Sequence, residues 1–269
     1  MMFSAVVLDL DGTLLDKDKN VSERNKKAIL NCYANGMKVI FATARPPRAV
    51  KALLPEELLS IGSFIFYNGA FISCKTTGTE EHVPIDVQLS NELLEFCLQE
   101  YRNIEISFEV KDEWYSLTEI DYSMIQRRKG DPTVKTLNEL REYEPTKILI
   151  TSFGDGAPIL DKFSSRLHMV VTDHGKLLQI MNIKVSKENG VQLLCNRLGI
   201  DVSRIIAFGD DHNDRGLFSI AGYSVAMGNA IAELKEAANE VTANNDDDGV
   251  AQVLERVAAE HNIKLGRSG

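Results

Sequence analysis

Two kinds of hydrophobic pattern alternate at the two ends of this chain. Short apolar runs without strict alternation, Phe3–Asp9, Met37–Ala42 and Phe64–Tyr67, read as strands buried on both faces. Between them lie stretches bounded by capping residues. Ser22 suits the start of a helix reaching Asn35, Gly36 suits its end, and Pro46-Pro47 suit the opening of another. Asn68-Gly69 is a turn signal. The last third repeats the style. Ser186 caps a helix to Leu198 with Gly199 behind it. Arg204–Phe208 is a strand, Asn213–Ile220 a helix and Tyr223–Ala226 a short strand. Helices follow near Ile231–Ala238 and Gly249–His261. This βαβα order at both ends predicts an α/β protein with one doubly wound parallel sheet built from two separated segments.

The middle differs. It offers helix Asn91–Tyr101, strands Ile104–Val110 and Glu113–Leu117, and helical stretches at Ile120–Arg128 and Leu137–Glu142. Then come strand Lys147–Thr151, helix Ala157–Arg166 and a hairpin of His168–Thr172 and Leu177–Met181 about an Asp173–Lys176 turn. A domain-sized block of mixed character predicts an inserted α/β domain over 83–184, the core being 1–82 plus 185–269.

Composition narrows the function classes. The 269 residues carry a formal charge of -9, which argues against a nucleic-acid partner. No apolar run approaches the roughly 20 residues of a membrane span, and the N-terminus lacks a signal-peptide pattern. The four cysteines, Cys32, Cys74, Cys97 and Cys195, are scattered and form no CxxC, so they read as reduced thiols of a cytoplasmic protein. The acidic stretch Asn244–Asp248 reads as a solvated loop.

Candidate chemistry collects where predicted strands end, the place where doubly wound sheets bind ligands. Asp9 and Asp11 follow the first strand, Thr43 the second, and Asp210, Asn213 and Asp214 follow Arg204–Phe208, while Lys187 opens the helix after the insertion. Singly, each has a bland reading as a turn, cap or exposed charge. Together, several carboxylates in one pocket need a cation, and oxygen ligands without a His or Cys cluster point to Mg²⁺. A metal beside a free carboxylate, a hydroxyl and a lysine suits phosphoryl transfer, with a carboxylate able to serve as nucleophile.

The set Asp9-Leu10-Asp11-Gly12-Thr13, Thr43, Lys187 and Gly209-Asp210-Asp211-His212-Asn213-Asp214 resembles the haloacid dehalogenase superfamily of phosphatases over nearly the whole chain. The place of the insertion and the Asn68-Gly69-Ala70 turn resemble its Cof-type subgroup with a large α/β cap, type IIB. The resemblance implies a Rossmann-like core and a Mg²⁺-dependent phosphatase acting on small phosphorylated metabolites, sugar phosphates foremost, through an aspartyl-phosphate. A phosphomutase or a non-catalytic binder of such metabolites is the alternative. It further implies Asp9 as nucleophile and metal ligand. Asp11 would be the general acid/base, with its backbone carbonyl on the metal, and Asp210 a further ligand. Asn213 and Asp214 would sit close to the metal or hold Lys187 and bound water. Thr43 and Lys187 would bind the phosphoryl oxygens, and Lys187 would also restrain Asp9. Asn68, Gly69 and Arg45 are candidate substrate contacts. The second motif departs from the family's usual form in carrying Ala44, which is tolerable where the backbone has negative φ. Specificity would rest with the cap, where Trp114, Tyr115, Arg127, Arg128 and Lys129 are candidates, though packing or solvated ends are the commoner roles. His212 reads as an exposed loop residue.

Overall fold

A computed structural model of the chain describes residues 3–119 and 131–265. The first segment runs β1 (Ala5–Leu8), α1 (Glu23–Ala34), β2 (Lys38–Ala42), α2 (Pro47–Leu53), α3 (Glu56–Ile61), β3 (Gly62–Phe66), β4 (Phe71–Cys74) and β5 (Thr79–His82). The middle runs α4 (Val87–Glu100), β6 (Glu105–Val110), β7 (Glu113–Ser116), β8 (Thr133–Val134), α5 (Leu137–Leu140), β9 (Lys147–Thr151), α6 (Ala157–Phe163), β10 (Leu167–Thr172) and β11 (Leu177–Asn182). The last segment runs α7 (Lys187–Leu198), β12 (Ile205–Gly209), α8 (Arg215–Ile220), β13 (Tyr223–Ala226), α9 (Ala232–Ala237), β14 (Glu240–Val241) and α10 (Gly249–Leu265). Two units result. One holds the chain up to Arg45, Val50–Glu80 and everything from Ser186 onward; the other holds Pro46–Ala49 and Glu81–Val185.

The first unit carries the sheet order β14-β13-β12-β1-β2-β3-β4-β5. β1 sits between β2 and β12 and is parallel to both, with Val7 opposite Ile40 and Ala207. The chain winds outward from β1 in both directions, the doubly wound arrangement, so the carboxyl ends of β1, β2 and β12 line one edge. Ala5, Val7, Ile40, Ala42, Ile65, Ile205 and Ala207 pack with Val191, Leu194 and Cys195 of α7 and Leu217 of α8. Local chemistry explains the helix ends. The Ser22 hydroxyl accepts the Asn25 N–H at 3.0 Å, and the Ser186 hydroxyl accepts from Asn189. Gly199 closes α7 at φ 66, a left-handed position that costs glycine little.

β4 and β5 were not predicted. β4 returns antiparallel to β3 around Tyr67–Gly69, so the parallel sheet has a mixed edge. The second unit carries the order β10-β11-β9-β6-β7-β8, antiparallel throughout except for the β7–β8 pair. Its core joins Leu93, Leu94 and Cys97 of α4 and Ile159 and Phe163 of α6 to Ile106, Phe108, Ile148, Ile150, Leu178 and Ile180. α4 begins four residues before the predicted start because Asp86 caps it, accepting the Gln88 and Leu89 N–H groups. The predicted helix Ile120–Arg128 and the candidates Arg127, Arg128 and Lys129 lie outside the described residues. Among the described residues, no helix is long and apolar enough to cross a membrane.

Candidate active site

The carboxyl edge of the first unit's sheet gathers buried charge. Asp9 follows β1 at 5% exposure, and Lys187, the first residue of α7, is 1% exposed. The Lys187 ammonium donates to Asp9 Oδ1 at 2.5 Å and to Asp214 Oδ1 at 2.7 Å. Asp214 Oδ2 accepts the Asp210 N–H at 3.0 Å and the Asp211 N–H at 3.3 Å. Asp210 Oδ1 accepts from the Thr13 hydroxyl at 2.9 Å. One carboxylate oxygen from each of Asp9, Asp210 and Asp214 can lie within 4.8 Å of the others. Glycines make room for this. Gly12 has φ +77, and a methyl there would run into the Asp210 carboxylate; at Gly209 it would lie 2.5 Å from the Asp214 carboxyl carbon.

Three carboxylates gather around one ammonium, and the acidities of Asp9 and Asp210 record the strain. Burial pushes the Asp9 carboxyl well above its ordinary value, which Lys187 only partly offsets and Asp214 and Asp210 worsen. Burial likewise pushes Asp210 up to about 6, against the pull of the Thr13 hydroxyl. Burial works against the Lys187 charge, yet Asp214 and Asp9 hold its ammonium above the usual lysine range. An oxygen-only donor set with excess negative charge suits a hard divalent cation.

Asp11 is placed differently. Its carboxylate takes Arg45 Nε at 2.5 Å and Arg45 Nη2 at 2.7 Å, and Lys19 Nζ at 2.5 Å. Burial would raise this group, but the Arg45 and Lys19 hydrogen bonds lower it overall. Its side chain therefore stands outside the Asp9–Asp210–Asp214 group. Thr43 is buried at the end of β2, and its hydroxyl oxygen accepts the Arg45 N–H at 3.2 Å, which leaves its own proton free to be donated.

Asn68 and Gly69 occupy left-handed backbone, at φ 56 and φ 110. The Asn68 side chain accepts from Asn213 Nδ2 at 3.1 Å, and a methyl at Gly69 would collide with the Ser186 carbonyl. The glycine thus lets the turn approach the start of α7, where Lys187 is mounted. Asn213 and His212 are exposed, and Asn213 spends its amide on Asn68. Ala44 is not among the residues with positive φ, so its methyl needs no special backbone. In the second unit, Trp114 Nε1 donates to Ser107 at 3.1 Å and Tyr115 stacks on Tyr143, so both have packing roles. Thr13, which the motif alone gives no role, holds Asp210 through its hydroxyl. Its place four residues after Asp9, in a turn between buried leucines, was the available signal.

A family model for haloacid dehalogenase-like hydrolases matches residues 6–254. The 5-amino-6-(5-phospho-D-ribitylamino)uracil phosphatase YitU of Bacillus subtilis is 30% identical, over 93% of this chain and 95% of its own. The crystal structure of TM0651 from Thermotoga maritima superposes with a TM-score of 0.86 at 27% identity, covering 95% of this chain and 97% of that one. The subclass IIB sugar phosphatase BT4131 shares the fold, with a TM-score of 0.76 at 21% identity over 94% and 98% of the chains. The cluster of Asp9, Asp210, Asp214 and Lys187 and these likenesses agree: the chain belongs to the haloacid dehalogenase-like hydrolases, as a phosphatase of that superfamily.

Proposed function

We propose that the protein hydrolyses phosphate monoesters of small phosphorylated metabolites, sugar and sugar-alcohol phosphates foremost, with Mg²⁺ and through a phosphorylated Asp9. The observation that carries this reading is the excess of carboxylate over ammonium at buried Asp9 and Asp214, half-buried Asp210 and buried Lys187. Asp9, Asp210 and Asp214 would hold the cation, with the Asp11 carbonyl as a further ligand and Asn213 supporting the loop from outside. When bound, Mg²⁺ neutralises the carboxylates and the phosphoryl oxygens, which lets two anions approach each other.

The remaining work falls to the chain's own groups. Asp9 attacks phosphorus and is pre-aimed by Lys187. That ammonium has three protons and spends two on Asp9 and Asp214, so one remains for a phosphoryl oxygen. The buried Thr43 hydroxyl offers a second donor. Asp11 protonates the leaving oxygen and then takes a proton from the attacking water. To carry that proton, it must loosen from Arg45 and Lys19, which favour its ionised form. We assign the inserted unit, near residues 83–184, the role of cap and selector of the leaving group. YitU's named substrate, a ribityl phosphate joined to a uracil, belongs in the first substrate panel.

The test is phosphate release from sugar phosphates, ribityl phosphates, nucleotides and flavin mononucleotide, with Mg²⁺ or EDTA. Turnover by the wild type that disappears with EDTA and falls at least about 10⁴-fold in Asp9→Asn supports the reading. Metal-independent turnover, or an Asp9→Asn variant at wild-type rate, sinks it.

A further inference from the structure

The acidic stretch Asn244–Asp248 reads as a solvated loop, and Asn244, Asp246 and Asp247 are exposed. In the folded chain it is a platform under the turn that follows β1. Asn245 Nδ2 donates to the Leu15 carbonyl at 2.8 Å, while its backbone N–H donates to Asn229 Oδ1 at 3.0 Å. Asn229 in turn donates from Nδ2 to the Gly12 carbonyl at 2.8 Å. Two asparagines from two separate loops therefore grip both ends of the 12–15 turn and are tied to each other. Asp246 Oδ1 accepts the Lys17 N–H at 2.8 Å, and Asp248 Oδ1 accepts from the Ser22 hydroxyl at 2.5 Å. The segment from Gly12 to Ser22 is thus anchored at four points, three on this platform and one on Asn229, which is tied to it.

The geometry points to Asn229 and Asn245 as positioning residues of the phosphoryl-transfer site, acting through the 12–15 turn. This rests on the function proposed above. Gly12 lies between Asp11 and Thr13, and the Thr13 hydroxyl holds Asp210. The Gly12 backbone lies so close to Asp210 that a Cβ added there would meet its carboxylate. A rotated Gly12 carbonyl would carry Thr13 off Asp210 and turn Asp11 away from its line to the substrate. The platform also sets the far end of the segment, where Lys19, at φ 64, reaches back to Asp11. Both anchoring loops receive further support. Gly228 N–H donates to Ala243 O at 3.0 Å, and the Thr242 hydroxyl donates to Gly249 O at 2.8 Å. The grip is therefore built from the body of the fold rather than from one mobile side chain.

The decisive variants are Asn229→Asp and Asn245→Asp. Each keeps size and shape but replaces the N–H donor by an oxygen facing a carbonyl, so the turn is pushed off rather than held. With p-nitrophenyl phosphate and Mg²⁺, each should lose about 10- to 100-fold in kcat, since a displacement of order 1 Å suffices for that. KM should change less than about threefold. Amide exchange of residues 12–16 should accelerate in each, while the melting temperature of the whole chain stays near the wild type. The double variant should lose about as much as the worse single one, because both act on one turn. Asn229→Ser, which keeps a short donor, should recover part of the rate. Full kcat in both Asp variants, or a kcat loss that follows a general loss of folded protein with no selective exchange at 12–16, overturns the inference. The comparison is read only against a wild type that is active and an Asp9→Asn that is not, so an inactive wild type counts against the proposed function instead.

Discussion

Each unit buries a knot of charge, and the two knots are balanced differently. In the second unit, Glu109 is 2% exposed and meets two cations, Lys147 at 3.1 Å and the Arg48 guanidinium. Arg48 lies over the Trp114 ring, and its N–H and guanidinium also reach Asp112. That knot closes on itself. In the first unit, Asp9 and Asp214 share the ammonium of Lys187 while Asp210 beside them has only the Thr13 hydroxyl, and burial raises Asp9 and Asp210 rather than letting them settle. Burying ions costs several kcal/mol each unless partners repay it. A knot that leaves the cost unpaid is poised to receive a cation, whereas a closed one serves structure. Burial alone does not separate chemistry from architecture; the sign left over does.

Removing the central lysine from each knot gives the largest contrast. Lys187→Met leaves Asp9 and Asp214 buried and facing each other, which should cost about 3–5 kcal/mol in metal-free thermal or urea unfolding. Lys147→Met leaves Glu109 with Arg48 and should cost about 1–3 kcal/mol. Mg²⁺ or mild acid should restore part of the first loss and none of the second. Equal losses, or no metal effect on Lys187→Met, would erase the distinction drawn between the knots.

What can be read from the sequence does not divide by unit; it divides by how local each feature is. Asp9, Thr43, Lys187 and Asp210 could be placed from sequence because each stands where an apolar run stops or a serine caps a helix, and such boundaries are local. β9 and β13 match their predicted limits for that reason. β5, with Thr79, Glu80, Glu81 and His82, has no apolar run and exists only because a neighbour supplies the ladder, so nothing in its residues announced it. β14 is two residues long for the same cause. In the site, the bond of Thr13 to Asp210 and the hold of Asn229 and Asn245 on the 12–15 turn depend on loops meeting across the fold. Hydrogen bonds between residues 197 to 230 positions apart leave no periodicity to read.

A pH titration sharpens the comparison within the first knot. Asp210 is raised from 3.8 to about 6, so the folded state binds its proton more readily than the unfolded chain. Its contribution is fully present below pH about 4 and is lost as pH rises through 6. Asp11 is lowered, so its contribution is present above its unfolded value and fades as pH falls through the folded one. Metal-free Asp210→Asn should therefore flatten the decline in melting temperature between pH 4 and 6, and Asp11→Asn should flatten the loss on further acidification. An unchanged profile in Asp210→Asn would show that its burial is not felt by folding.

The smallest contrast lies in two glycines with similar positive φ. Gly12 in the first unit has φ +77 and Gly175 in the second has φ +87, so alanine strains both by about 1–2 kcal/mol. Their surroundings differ. Nothing lies within 4 Å of a methyl at Gly175, whereas a methyl at Gly12 strikes the Asp210 carboxylate. Gly175→Ala should lower the melting temperature slightly and leave kcat alone. Gly12→Ala should lower it by a comparable amount in the presence of EDTA, yet cut kcat at least about tenfold, because Asp210 must move or the turn must. It should also blunt the rise in melting temperature on adding Mg²⁺. If Gly12→Ala keeps full kcat and the full Mg²⁺ response, the carboxylate has room that the packing denies it, and the tight seating of Asp210 would not be what prepares the site.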